Sequence, residues 1–262
     1  MLPSRGVLWG PSPIDWCEIN MPESNFAGIQ EFHNTWTNVA YMVVAIVLFL
    51  RQIPELRRMR DPGEKRVAVF LFNIYCASIF MTGVTSWWFH ATLLFVAQKS
   101  DEFFENCAVL AVFYMSRKPL RVANISWTIV HCVLLFVGVF TIRELFCEVH
   151  LVAMVLCGLT SLRGRIAELE NLADKIIYRK IRRRAIACAG LAGIGACAWL
   201  LDVFACKYVQ NFNLHAFAWH IFTALSLHEA GVCAVSIIRC TELTQSNKEL
   251  SKSNKEDNKK CK

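Results

Sequence analysis

Apolar residues in this chain gather in seven long runs separated by polar and basic segments, over 34–50, 67–90, 102–116, 122–142, 149–162, 185–205 and 214–238. A helix needs about 20 mostly apolar residues to cross a hydrocarbon layer about 30 Å thick. Most of the runs meet or approach that length. The third and fifth fall short and are expected to extend into their flanks, which puts Glu102 and Glu105 inside the third run or at its mouth. The pattern predicts an all-α membrane protein, a bundle of seven transmembrane helices. Three regions follow: an N-terminal segment over 1–33, a membrane domain over 34–238 and a tail over 239–262. No internal repeat is visible.

Composition agrees with this reading. Hydrophobic residues make up 55% of the 262 and charged residues only 19%, against about 25% charged in a typical soluble domain. The net charge of +7 is explained by where it sits, so it carries no nucleic-acid signal. The segments 51–66, 116–121, 163–184 and 239–262 hold 24 of the 28 Lys and Arg residues, leaving Arg5, Lys99, Arg143 and Lys207 on the other side. With seven spans, all four basic segments fall on one face, which the positive-inside rule places in the cytosol. An even number would scatter them over both. The N-terminus is then luminal or extracellular and the C-terminus cytosolic. Residues 1–30 lack an apolar signal-peptide core, so the first span is expected to carry that segment across. The segment 163–184 reads either as an amphipathic helix on the cytosolic surface or as a solvated basic loop. The tail is Ser-, Asn-, Lys- and Glu-rich, a composition expected to be disordered.

Most of the twelve cysteines sit in apolar runs, where Cys acts as a small hydrophobe. Three fall on the luminal side, where disulfides form: Cys17, Cys147 and Cys206. Cys17 with Cys206 would tie the N-terminal segment to the sixth span, and the sequence alone leaves Cys147 as an alternative partner.

The candidate chemistry gathers near the same leaflet. Ser86-Trp87-Trp88-Phe89-His90 closes the second run, Asp101 opens the third, and His215-Ala216-Phe217-Ala218-Trp219-His220 opens the seventh. Ionisable groups at membrane depth are costly and mark function by default. Ser86 and His90 are i,i+4 neighbours on one helix face. Three imidazoles, His90, His215 and His220, form a zinc-ligand set with one position left open. Asp101 is placed as general base and Ser86 as donor to an oxyanion, a set that fits amide or ester hydrolysis. The competing readings are a surface-loop carboxylate beside Lys99 for Asp101, helix packing for Ser86, and interfacial histidines. A second group, Asp15, Glu18 and Asn20 followed by Glu31, offers hard oxygen ligands of the kind Ca²⁺ takes, without EF-hand spacing. An acidic surface loop would look similar.

Taken together these residues resemble the alkaline ceramidase family, from Trp9-Gly10 to about Arg239. The resemblance is carried by Asp15-Trp16-Cys17-Glu18-Ile19-Asn20, by Glu31-Phe32-His33-Asn34-Thr35 with Asn38, by Ser86 to His90, by Asp101-Glu102 and by His215 to His220. It implies a seven-helix, zinc-dependent hydrolase of the endoplasmic reticulum, Golgi or plasma membrane that cleaves the amide of ceramide to sphingosine and a fatty acid. It implies zinc on His90, His215 and His220, with Ser86 and Asp101 completing the site. It implies calcium on the side chains of Asp15, Glu18, Asn20 and Glu31 and the carbonyl of Trp16, and a disulfide between Cys17 and Cys206. The bilayer and its ceramide are the partners implied; no protein partner is.

The chain departs from the family pattern in three places. The last two histidines are five apart instead of four. On a regular helix five residues rotate about 140° past a full turn, so a shared metal requires a π-bulge or a His215 that precedes the helix. The stretch from Asn20 to Glu31 is two residues longer than the family's, which a loop absorbs. His33 stands where the family carries an aromatic, and reads as a packing or interfacial residue and not as a ligand. The alternative functions are a catalytically impaired, lipid-binding or receptor-like member, and a hydrolase of another lipid such as a GPI-lipid ester.

Overall fold

The computed structural model of the chain describes residues 9–14, 16–20, 28–117, 119–141, 145–171 and 174–260. Among these, all regular structure is helical. Helix α1 (Phe32–Thr37) leads through Asn38, itself at helical φ and ψ, into α2 (Val39–Arg57), so the two act as one rod. Then follow α3 (Pro62–Thr92), α4 (Phe95–Ser116), α5 (Val122–Thr141), α6 (Leu145–Glu170) and α7 (Lys175–Val209). A 3₁₀ turn (Gln210–Phe212) and a six-residue π-helix (His215–His220) lead into α8 (Ile221–Lys260).

Local chemistry sets the ends. Asp61 caps α3 by accepting the Glu64 N–H at 2.8 Å, with Pro62 in the first turn. Leu93 ends that helix in the left-handed region, φ 49°. Asp174 caps α7 through the Ile176 N–H at 2.7 Å. Helix α3 packs between α2 and α4, and α8 between α2 and α7. Tyr41 and Leu48 of α2, Leu71, Phe72, Tyr75 and Ile79 of α3 and Val235 and Ile238 of α8 share one buried core.

The outer face inverts the rule for soluble proteins. Val133, Leu134, Phe136 and Val137 of α5, Val149, Val152 and Leu156 of α6, and Leu200, Leu201 and Phe204 of α7 are all exposed. Inside, α3 buries a polar stripe, Ser78, Thr82, Thr85, Ser86 and His90. Apolar contiguous surface on this scale requires a hydrocarbon solvent. Among the described residues, six helical stretches are long and apolar enough to cross one: Phe32–Arg57, Pro62–Thr92, Val122–Thr141, Phe146–Glu170, Lys175–Phe212 and His215–Thr244. The protein is an integral membrane protein.

Helix α4 is not among the six. Its first turns carry Lys99, Asp101, Glu102 and Glu105, and it keeps them by local pairing: Lys99 Nζ lies 2.7 Å from Glu102 Oε2, and Gln98 donates to Glu102 Oε1 at 2.5 Å. The helix begins at Phe95, so Asp101 sits in its second turn and not in a loop beside Lys99. The segment 163–184 also differs from both sequence readings. Helix α6 runs on to Glu170 and α7 begins at Lys175, so the basic residues extend two membrane helices. Residues 239–260 are helical, where composition indicates disorder; no Gly or Pro interrupts the run after Gly231. Arg5, Asp15, Lys118, Arg143 and Lys262 lie outside the described residues.

Gly83 lets α3 approach the joint between α1 and α2. A Cβ there would meet Met42 Cγ at 2.8 Å and the Asn38 carbonyl oxygen at 3.0 Å. Because one contact is backbone, the rods themselves must part. Gly83→Ala is expected to destabilise the fold by about 1–3 kcal/mol, read as a lower thermal midpoint in detergent.

Candidate metal centre

Three imidazoles meet at one end of the bundle. His90 comes from the last turn of α3, and His215 and His220 come from the two ends of the π-helix. None is more than 4% exposed. The ring centroids lie 5.3 Å apart for His90 and His215, 5.1 Å for His90 and His220, and 4.8 Å for His215 and His220. One nitrogen from each lies within 4.8 Å of the other two. The π-helix makes this possible. Its i→i+5 hydrogen bonding closes a turn over five residues, so His215 and His220 stand on one face despite a spacing that separates them on an α-helix.

The surroundings orient the rings. Glu31 Oε2 bonds His90 Nδ1, and the Thr37 hydroxyl lies 2.8 Å from His220 Nδ1. With the Nδ1 atoms so engaged, the Nε2 atoms of both rings are the ones left for a shared ligand. The Trp16 ring stacks on His215 at 4.0 Å and 28°. His215 Nδ1 is buried with no hydrogen-bond partner. Three buried imidazoles, one with an orphaned nitrogen, fit a borderline-soft divalent cation such as zinc.

Ser86 lies one turn before His90 and is 3% exposed. Its hydroxyl lies beside the Asp101 carboxyl on α4, whose Oδ1 is buried and unpartnered. Tyr41 stands within electrostatic reach of Asp101, and its ring is 6.1 Å from that of His220. The pair therefore borders the imidazoles.

The acidic segment folds against the same end. Glu18 is 7% exposed and accepts the His33 and Asn34 N–H groups at 2.6 and 2.7 Å. Glu31 is fully buried; it accepts the Trp16 N–H at 3.2 Å and the Asn34 amide at 3.1 Å. Burial pushes the Glu18 carboxyl above its ordinary range, with the nearby Glu31 adding to the shift. The side-chain oxygens of Asn34 and Asn38 are buried without partners. Two buried carboxylates and orphaned amide oxygens fit a hard cation. Asn20 is exposed at the edge of this group, and Asp15 lies outside the described residues. Cys17 is joined to Cys206, Cα to Cα 5.3 Å. Cys147 is a free, buried thiol packed in a separate cluster with Cys107, Leu135 and Val139.

The ceramidase family profile matches residues 10–258. The chain belongs to the ceramidase family. It is 27% identical over 230 residues to the alkaline ceramidase of Drosophila melanogaster, covering 84% of this chain and 75% of that protein. It is 26% identical over 236 residues to the alkaline ceramidase of Arabidopsis thaliana, covering 84% and 82%. It is 24% identical over 238 residues to alkaline ceramidase 3 of Mus musculus, with the same coverage, 84% and 82%.

Several residues of this ceramidase-family site escape the sequence reading. Thr37, Tyr41 and Thr223 look like ordinary helix residues, yet Thr37 holds His220, and the Tyr41 hydroxyl bonds Thr223 at 2.5 Å. Glu31 stands out in the sequence only as a cation ligand, and the structure also sets it on His90. Asp202 did leave a signal, being the single charged residue in the run 185–205.

Proposed function

We infer that this protein is a zinc-dependent intramembrane ceramidase, cleaving the amide of ceramide to sphingosine and a fatty acid. The observation that carries the reading is the convergence of His90, His215 and His220 in a ceramidase-family chain. Zinc held there would supply a Lewis acid for the amide carbonyl and an acidified water.

The chain's own groups do the rest. The unpartnered Oδ1 of Asp101 accepts the proton of the attacking water and passes it to the amine that leaves. The Ser86 hydroxyl, one turn from His90, donates to the oxyanion that develops on the carbonyl oxygen. The exposed apolar faces of the helices let the two hydrocarbon tails of the substrate approach from the bilayer. Calcium on the segment of Asp15, Trp16, Glu18, Asn20 and Glu31 would hold that segment against the histidines, because Glu31 bonds His90 and Trp16 stacks on His215.

We place seven spans in the membrane, α4 included, with the N-terminus luminal and the C-terminus cytosolic. The basic asymmetry supports this orientation, and the disulfide of Cys17 and Cys206 suits an oxidising lumen. The endoplasmic reticulum or Golgi is the favoured membrane, with the plasma membrane as the alternative. The π-helix counts against the impaired-member reading, which leaned on the five-residue spacing.

The test is Asp101→Asn in purified protein. Zinc content should stay at the wild-type level while ceramide turnover falls by about 10²–10⁴-fold, the usual contribution of a positioned acid–base group. Undiminished turnover of labelled ceramide would remove Asp101 from the mechanism.

A further inference from the structure

Tyr41 and Thr223 take no part in the chemistry above, yet they stand behind His220. Tyr41 follows Thr37 by four residues on the rod of α1 and α2, so the two side chains share one face of it. Thr37 meets the His220 ring, its hydroxyl 2.8 Å from Nδ1. The Tyr41 ring crosses the same imidazole at 67°, 6.1 Å between centroids, and its hydroxyl lies 2.5 Å from Thr223 Oγ1. The Thr223 hydroxyl also bonds the Trp219 carbonyl and lies 3.3 Å from the His220 carbonyl. A hydroxyl has a single proton. Thr223 directs its own to these carbonyls, so Tyr41 is the donor in the bond between the two side chains. On the far side stands Gly195 of α7, where a Cβ would meet Thr223 Cγ2 at 2.8 Å. The Thr223 methyl fills the gap that the glycine leaves. Thr223 is thereby fixed from two helices, its hydroxyl by α2 and its methyl by α7.

The geometry points to Tyr41 as a positioning residue for the zinc ligand His220, acting through Thr223, an inference that rests on the zinc reading above. Trp219 and His220 close the π-helix. Where i→i+5 bonding gives way to i→i+4 bonding, carbonyls outnumber N–H groups by one. A side-chain donor at that end serves carbonyls that the ladder leaves short. A threonine bonded to its own preceding turn moves with its helix, so it fixes nothing by itself. The bond from Tyr41 ties that turn to α2. Thr37 then holds the ring of His220, and Tyr41 holds the backbone behind it, both from one face of one rod. A ring held without its backbone can swing about Cα, and a backbone held without its ring leaves the imidazole free to flip. Together the two holds set the direction of Nε2, the atom left for the metal.

The test uses full-length protein in detergent, stripped of metal and titrated with Co²⁺, whose visible absorption reports the coordinating nitrogens without any turnover. Tyr41→Phe keeps the ring, removes the donor and leaves the Thr223 proton where it was. It should weaken Co²⁺ binding about tenfold, the lower end of the effect of losing an outer-shell partner, while the metal-free thermal midpoint stays unchanged. Thr223→Val keeps the shape that Gly195 receives and removes the hydroxyl, and should weaken binding about 10–100-fold. Because the two groups act as one chain, the double variant should bind no more weakly than Thr223→Val alone. Wild-type affinity in Tyr41→Phe overturns the proposal, and so do losses that multiply in the double variant. A Tyr41→Phe protein that unfolds without metal overturns it in favour of a purely structural brace. A wild-type chain with no Co²⁺ band would instead remove the zinc reading itself.

Discussion

His220→Ala is expected to abolish ceramide hydrolysis and to release the metal, while the bundle stays folded. The imidazole is 1% exposed and its Nδ1 already has a partner in the Thr37 hydroxyl. Its other nitrogen is the one left for a ligand shared with His90 and His215. Removing it leaves two ligands where zinc needs three and an open position. Loss of an outer-shell partner costs about 10–100-fold in metal affinity, and loss of a ligand itself exceeds that. His90→Ala should match it, with the added cost of leaving the buried Glu31 carboxylate without its imidazole. Thr37→Val is the graded control: it leaves all three rings in place and should fall within the outer-shell range. Metal content and sphingosine release measured on the same samples decide the matter. Full zinc occupancy in His220→Ala, or full turnover without zinc, would end the metal reading.

Much of this site is legible in the chain because the membrane restricts where polar groups go. A helix that must bury its backbone in hydrocarbon carries few polar side chains, so His90, His215 and His220 stand out at the ends of apolar runs, and the seven-span topology expected from the sequence would bring those ends to one leaflet. The same logic, applied to the run 185–205, would single out Asp202, which the reading of the sequence passes over. It finds α4 only from Glu102 on, over 102–116; the first turns, from Phe95, mix Lys99 and Asp101 with Glu102, and the pairings of Gln98 and Lys99 with Glu102 show how the helix keeps them. It also misses Thr37, since a hydroxyl on a helix usually bonds its own preceding turn, as Thr37 does to the His33 carbonyl at 2.9 Å. Only the tertiary fold brings His220 to it.

The basic segment 163–184 and the tail fail for another reason. Composition reports solvent preference, not backbone state. Arg and Lys are good helix formers, and the flanking helices grow into both stretches. Loops between membrane helices are therefore shorter in the structure than hydropathy makes them: α6 and α7 are separated only by residues 171–174.

The spacing of His215 and His220 gives the second large effect. Inserting one alanine between Ala218 and Trp219 should abolish metal binding, whereas deleting Ala218 should preserve it. The present spacing of five suits a π turn. A spacing of six suits neither helix: the added residue carries His215 about 100° further round and away from the face that His90 meets. A spacing of four returns both rings to neighbouring positions on a regular α-helix, about 40° apart, which is the spacing the resemblance to alkaline ceramidases implies. Ala218 is only half-buried and carries the smallest side chain after glycine, so its removal leaves little void. The deletion should also relieve the π turn, raising the thermal midpoint while turnover stays within about tenfold of the wild type, a difference of about 1.4 kcal/mol. Both variants keep every ligand in the chain and change only the angle between two of them. Zinc retained by the insertion would mean that the π-helix does not set the site; zinc lost by the deletion would mean that the rings need the fifth residue for more than their angle.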